Sequence, residues 1–161
     1  MTPFDATLEP APELEIAAWL NTPAPLSLAQ LRGRVVVLHA FQMLCPGCVL
    51  HGVPQAQRIH QLFAQDEVQV IGLHTVFEHH DAMREPSLKA FLHEFRVTFP
   101  VGIDRHAQGD PMPLTMARYA MRGTPTLILI DRAGRLHAHQ FGQVDDMQVG
   151  AQIARLVAGR E

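Results

Sequence analysis

The chain has 161 residues, 47% of them apolar and 18% charged, enough for one buried core without disulfide staples and too few for two well-filled ones. A formal net charge of −3 argues against nucleic acid or an anionic membrane surface as partner, since either needs a basic face. No apolar run is long enough to span a bilayer, and residues 1–21 lack a basic-then-apolar leader, so a cytoplasmic location is expected.

Residues 1–13 are rich in Pro and polar side chains and read as a flexible N-terminal arm, with a single domain over 14–161. A short strand is expected to start at Leu14 and lead to Trp19. Leu28 and Leu31 form a helical turn that Gly33 stops. The run VVVLHAF at 35–41 is nearly continuous in apolar, β-branched residues, the pattern of a strand buried on both faces. A helix follows, with Val49, Val53, Ala56 and Phe63 on one face and Pro54 as a kink. A second buried strand covers 68–76, and the polar run Glu78–Asp81 links it to a helix. Leu88, Phe91, Leu92 and Phe95 mark the apolar stripe of that helix, with Pro86 and Ser87 at its start. Residues 99–103 predict a third strand, 104–113 a loop and 114–121 a short helix. Thr126 to Ile130 is again a buried strand; a turn at 131–134 folds 135–141 back as a hairpin partner. A last helix opens near Asp145 and buries Val149, Ile153, Leu156 and Val157. The alternation of strands and helices, closed by a hairpin, is an α/β pattern.

Both cysteines of the protein lie in one motif, Cys45-Pro46-Gly47-Cys48. Alone, CxxC is ambiguous: a redox dithiol, half of a zinc site, or two small buried hydrophobes. Position narrows the choice. The motif leaves a buried strand and opens a helix, so Cys45 sits where unpaired N–H groups and the helix dipole favour a thiolate, the attacking species. Cys48 lies one turn on, within reach and less exposed. Pro46 fits the first turn, where its missing N–H costs little. A zinc site needs two further ligands, which His74, His79, His80 and Asp81 supply only if their linker folds back.

With these residues in place, the chain resembles the thioredoxin-like superfamily, and within it the TlpA-like redoxin branch. The resemblance covers about 14–158 and rests on Trp19 with the Leu28–Gly33 lead-in, on VVVLHAF, on CPGC, and on Gly123-Thr124-Pro125-Thr126 before the strand LILID. It implies an α/β thioredoxin fold: a central mixed sheet flanked by helices, with a TlpA-like strand–helix insertion at about 68–95. It also implies a cis Thr124–Pro125 bond facing the dithiol, with Pro46, Gly47, Thr124 and Pro125 forming the substrate-binding surface. The Thr124 backbone is then open to pair with an incoming chain. Three positions depart from the family pattern. His39 stands where plain thioredoxins carry a buried acid, His51 where TlpA-like reductases often carry Glu, and Leu44 where Trp usually precedes the first Cys. Either histidine is a candidate proton acceptor for the second thiol, neutral imidazole being a base near physiological pH.

The expected activity is thiol–disulfide oxidoreduction. The Cys45 thiolate attacks a protein or small-molecule disulfide, Cys48 resolves the mixed disulfide, and an upstream thiol reductant restores the dithiol. No cofactor or metal is called for. Two alternatives stand beside this reading. A peroxiredoxin-like thiol peroxidase needs Thr three residues before the reactive Cys, where this chain has Gln42. A copper- or zinc-handling protein would use Cys45, Cys48 and a histidine, a donor set that suits soft metals.

Overall fold

A computed structural model of the protein describes residues 8–159. Six strands form one sheet in the order β1-β4-β3-β2-β5-β6. These are β1 (Ile16–Leu20), β2 (Val35–Phe41), β3 (Val68–His74), β4 (Val101–Asp104), β5 (Thr126–Ile130) and β6 (Leu136–Phe141). Strands β2, β3 and β4 run parallel, while β1, β5 and β6 pair antiparallel to their neighbours. The helices are α1 (Val53–Leu62), α2 (Glu85–Glu94), α3 (Leu114–Arg118) and α4 (Asp146–Ala158).

The continuous apolar run of β2 follows from its place. All seven residues are buried, because the strand lies mid-sheet with a layer on each face. Val35, Val37 and Phe41 pack with α1, α2 and α4 through Val53, Ile59, Leu88 and Ile153. Val36, Leu38 and Ala40 alternate to the other face, against Leu28, Leu31, Met116 and Tyr119. Each such aliphatic side chain contributes roughly 1.5–3 kcal/mol by leaving water. His39 is the one polar residue in the strand, on the face of α1 and α4.

Pro54 does not kink the helix as expected. The chain is helical from Pro46, passes through one π-helical turn (Cys48–Gly52), and continues as α1 with Pro54 in the first turn. Val53 N–H donates to the Cys48 carbonyl, five residues back. The wider turn accommodates a residue that has no N–H and whose ring crowds the preceding carbonyl.

Three other expectations shift. Val68–His74 is matched to β2 along its full length, so it is central rather than inserted; the strand added between β3 and β1 is β4, reached through α2. Asp104 is no loop residue. It is buried at the end of β4 and accepts from Thr115 N–H (2.9 Å), Met116 N–H (3.0 Å) and the Thr75 hydroxyl (3.0 Å), so it anchors the start of α3. That helix ends at Arg118 rather than residue 121, and Ala120 follows at a φ of 50°. The expected arm at 1–13 lies partly outside the described residues. Its remainder is pinned: Ala11 N–H donates to Gly134 O (2.8 Å), Leu136 N–H to Glu9 O (2.9 Å), and Glu13 accepts the Leu28 N–H (2.6 Å). No helix among the described residues is long and apolar enough to cross a membrane.

Candidate active site

The dithiol sits at the C-terminal end of β2, where the chain turns into its helix. Cys45 N–H donates to the Gln42 carbonyl at 3.1 Å, which closes the turn between strand and helix. Cys45 is half-buried and Cys48 fully buried, both as free thiols. Cys48 N–H donates to Cys45 Sγ at 3.3 Å, so the first-turn amide is aimed at the outer sulfur. Burial and the neighbouring Cys45 sulfur push the Cys48 thiol up to about 12, against opposing contacts from the Gln42 main chain and the Thr124 hydroxyl. The two sulfurs therefore have different settings: one accessible with a donor on it, the other sealed and held protonated.

The loop before β5 closes over the motif. The Thr124–Pro125 bond is cis. Cys45 Sγ–H donates to the Thr124 carbonyl at 3.5 Å. Gly47 lies under the Pro125 ring, and a Cβ added there would sit 3.3 Å from Pro125 Cδ. Cys45, Pro46, Gly47, Cys48, Thr124 and Pro125 are thus gathered at one point from segments far apart in the chain. Exposed apolar residues lie next to the motif: Leu44 is 55% and Leu50 68% exposed. Phe141, at the end of β6, packs on Gly123 beside the same loop.

The two candidate proton acceptors differ. His39 is 2% exposed, and its Nε2 has no hydrogen-bond partner among the described residues. Burial pushes its imidazole down to about 4, so it is neutral at physiological pH. His51 is exposed on the helix. Both line a cavity of about 60 Å³ between the π-helical turn and the β6–α4 loop, bordered by Gln55, Arg58, Pro125 and Asp146.

Sequence reasoning missed three parts of the site. Gly52 has room for no side chain, because its Cβ would land on the His39 ring and come within 3.1 Å of Pro125 Cβ. Gln42 is buried and binds both Thr124 and Phe77 through its side chain. His74 Nε2 accepts the Met43 N–H at 3.3 Å and supports the turn before the dithiol. A glycine inside a helical pattern was the one available signal; the other two contacts depend on tertiary approach. His74 is thus engaged by the main chain and His80 by Pro111 O (3.0 Å), and among the described residues no three His, Cys, Asp or Glu side chains are grouped to hold a metal.

The family profile described as Redoxin matches residues 7–153. A solved thioredoxin-like superfamily protein is 58% identical with a TM-score of 0.91, covering 94% of this chain and 97% of that one. A thiol-disulfide isomerase from Corynebacterium glutamicum is 51% identical with a TM-score of 0.90, over 94% and 97% of the two chains. Protein DipZ of Mycobacterium bovis is 28% identical over 138 residues, 84% of this chain; the match spans only 19% of DipZ. With the profile covering most of its length, and with a paired dithiol at the mouth of a helix, the chain belongs to the Redoxin family and has a thioredoxin-like fold.

Proposed function

We propose that the protein is a thiol–disulfide oxidoreductase whose working group is the Cys45–Cys48 dithiol, in the manner of TlpA-like redoxins. The observation that carries this reading is the asymmetry of the two sulfurs: Cys45 half-buried under the Cys48 N–H, Cys48 sealed beneath it. Cys45 thiolate attacks a substrate disulfide, forms a mixed disulfide and expels one substrate thiolate. Cys48, losing its proton, attacks Cys45 Sγ, expels the second substrate thiolate and leaves a Cys45–Cys48 disulfide. The substrate gains two electrons and the dithiol loses two. Thr124 and Pro125 present backbone to an extended substrate chain beside Pro46 and Gly47, in strand-addition fashion.

His39 is the better acceptor for the Cys48 proton. It is neutral, unpartnered at Nε2 among the described residues, and buried on the same side of the sheet. Burial also makes it a weak base, so it passes the proton on through the cavity it shares with His51 rather than keeping it. A protein disulfide is the substrate favoured by the apolar flank of Leu44 and Leu50, and a cytoplasmic thiol reductant returns the dithiol to its reduced form.

Disulfide reduction by single-cysteine variants tests the reading. Cys48→Ser retains the first attack and accumulates a covalent adduct with substrate, whereas Cys45→Ser loses turnover altogether. Wild-type turnover in Cys45→Ser refutes it. Equilibration of the dithiol with glutathione then gives the direction of electron flow.

A further inference from the structure

Gln42 follows the end of β2 and is 1% exposed, so its amide must find its partners inside the protein. Phe77 N–H donates to Gln42 Oε1 at 3.2 Å. A main-chain N–H can only donate, so this contact fixes which end of the amide is oxygen. The nitrogen end then faces Thr124 Oγ1 at 3.3 Å and donates to it. A hydroxyl that accepts on its oxygen still has its own proton to give. Thr124 itself lies against the dithiol, its carbonyl 3.5 Å from Cys45 Sγ, which in turn takes the Cys48 N–H at 3.3 Å, and the Thr124 hydroxyl favours the ionised form of the Cys48 thiol. One buried amide thereby links the loop after β3 to the Pro125 loop, which itself touches the dithiol at Cys45 Sγ.

We propose that Gln42 is a positioning residue for the resolving step: by donating to Thr124 Oγ1 it aims that hydroxyl at the Cys48 sulfur and so sets how readily Cys48 attacks. The inference rests on the dithiol reading above. The relay matters most in the mixed disulfide. There Cys45 Sγ is bonded to substrate, and the contacts through which Cys45 opposes ionisation of Cys48 are gone. Burial remains as the opposing influence, and the Gln42 main chain and the Thr124 hydroxyl remain against it, of which the hydroxyl is the one that the Gln42 amide aims. If loss of that donor raises the thiol by about one pH unit, the thiolate fraction falls roughly tenfold. The more basic thiolate recovers about threefold in nucleophilicity, so the net slowing is about threefold, and more if the hydroxyl turns away altogether.

A stopped-flow reaction with a chromogenic aromatic disulfide separates the steps. Attack by Cys45 releases the first coloured thiolate at a rate that depends on reagent concentration. Attack by Cys48 on Cys45 Sγ releases the second at a rate that does not. Gln42→Leu and Thr124→Val are each expected to slow the second phase about three- to tenfold; Gln42→Leu leaves the first within about twofold of wild type, whereas Thr124→Val, in the substrate-binding loop, is read on the second phase alone. Because both act on one path, the double variant is no slower than the slower single. Thr124→Ser, which keeps the hydroxyl, restores the wild-type second phase. Gln42→Glu keeps the shape but makes the side chain an acceptor only, so it draws the hydroxyl away from sulfur and slows the second phase at least as much; this covers a Gln42→Leu chain that fails to fold. An unchanged second phase in Gln42→Glu, or a double variant slowed by the product of the two single effects, overturns the proposal. A wild-type protein with no second phase sinks the dithiol reading instead.

Discussion

Two buried imidazoles flank the turn that carries the dithiol, on adjacent strands, and they make different use of the same environment. His39, in β2, and His74, at the end of β3, are both almost inaccessible, and burial pushes each down to about 4. His74 spends its acceptor nitrogen on the Met43 N–H and so stitches β3 to the turn before Cys45. His39 leaves Nε2 beside a cavity with no partner among the described residues. An unpaired buried nitrogen costs about 1–3 kcal/mol, which a purely structural residue would avoid. The difference teaches that burial alone does not say what a histidine does; what its Nε2 meets is the feature that sets the two apart, and under the proposed mechanism it marks His39 as the proton acceptor.

Acidification is expected to have the largest effect, and it acts on both histidines together. Each is neutral in the folded chain and free to take a proton near 6.5 once unfolded. The stability this represents is whole above about pH 6.5 and drains away as pH falls toward 4. A drop from 6.5 to about 4 corresponds to as much as roughly 3 kcal/mol for each imidazole. Urea midpoints measured between pH 7.5 and 4 should therefore fall steeply. His39→Leu and His74→Leu should each flatten the fall by about half. A midpoint that stays level across that window would break the pairing of the two sites.

Gly52→Ala sharpens the contrast from the His39 side. The added methyl would land on the His39 ring and press on Pro125, and Cys48 and Cys45 lie within the two preceding turns. Overpacking of this kind costs about 1–3 kcal/mol. Because the displaced groups are His39 and Pro125, the Cys48 resolving step should also slow. His74 has no such glycine against it. Thermal melts and single-turnover reduction of a disulfide substrate check both parts, and a wild-type melt would mean that the helix shifts away freely.

The strands and the dithiol were legible in the sequence because their signals are local. Val35 to Phe41 and Thr126 to Ile130 are unbroken apolar runs, and only strands buried on both faces present those. Asp145 as cap of α4 was equally plain, its side chain accepting the Gln148 N–H at 3.1 Å. The site beyond the cysteines was legible only as a list. Nothing near Gln42 or His74 in the chain announces their partners, which lie 82 residues away for Thr124 and 31 residues back for Met43. Asp104 misled for a related reason. In isolation Asp before a Pro- and Gly-containing stretch reads as loop, whereas its carboxylate is consumed by two amides of α3 and a hydroxyl beyond β3. The π-helical turn escaped because Pro54 signals a disruption without saying whether the helix bends or widens.

The smallest expected effect on stability, and the sharpest discrimination, comes from comparing the two leucine variants near neutral pH. His74→Leu removes the acceptor of Met43 N–H and leaves that amide unpaired, at a cost of about 1–3 kcal/mol. His39→Leu deletes no hydrogen bond through Nε2 and replaces an unsatisfied nitrogen with carbon of similar bulk, so it should cost under about 1 kcal/mol. Rates should rank the other way. The Cys48 step depends on a proton acceptor and should slow in His39→Leu, while His74→Leu, once folded, should keep it. Denaturant melts at pH 7.5 together with single-turnover kinetics read both quantities. If His39→Leu proves the more destabilised and turns over normally, His39 holds the fold together as His74 does, and the proton leaves Cys48 by another path.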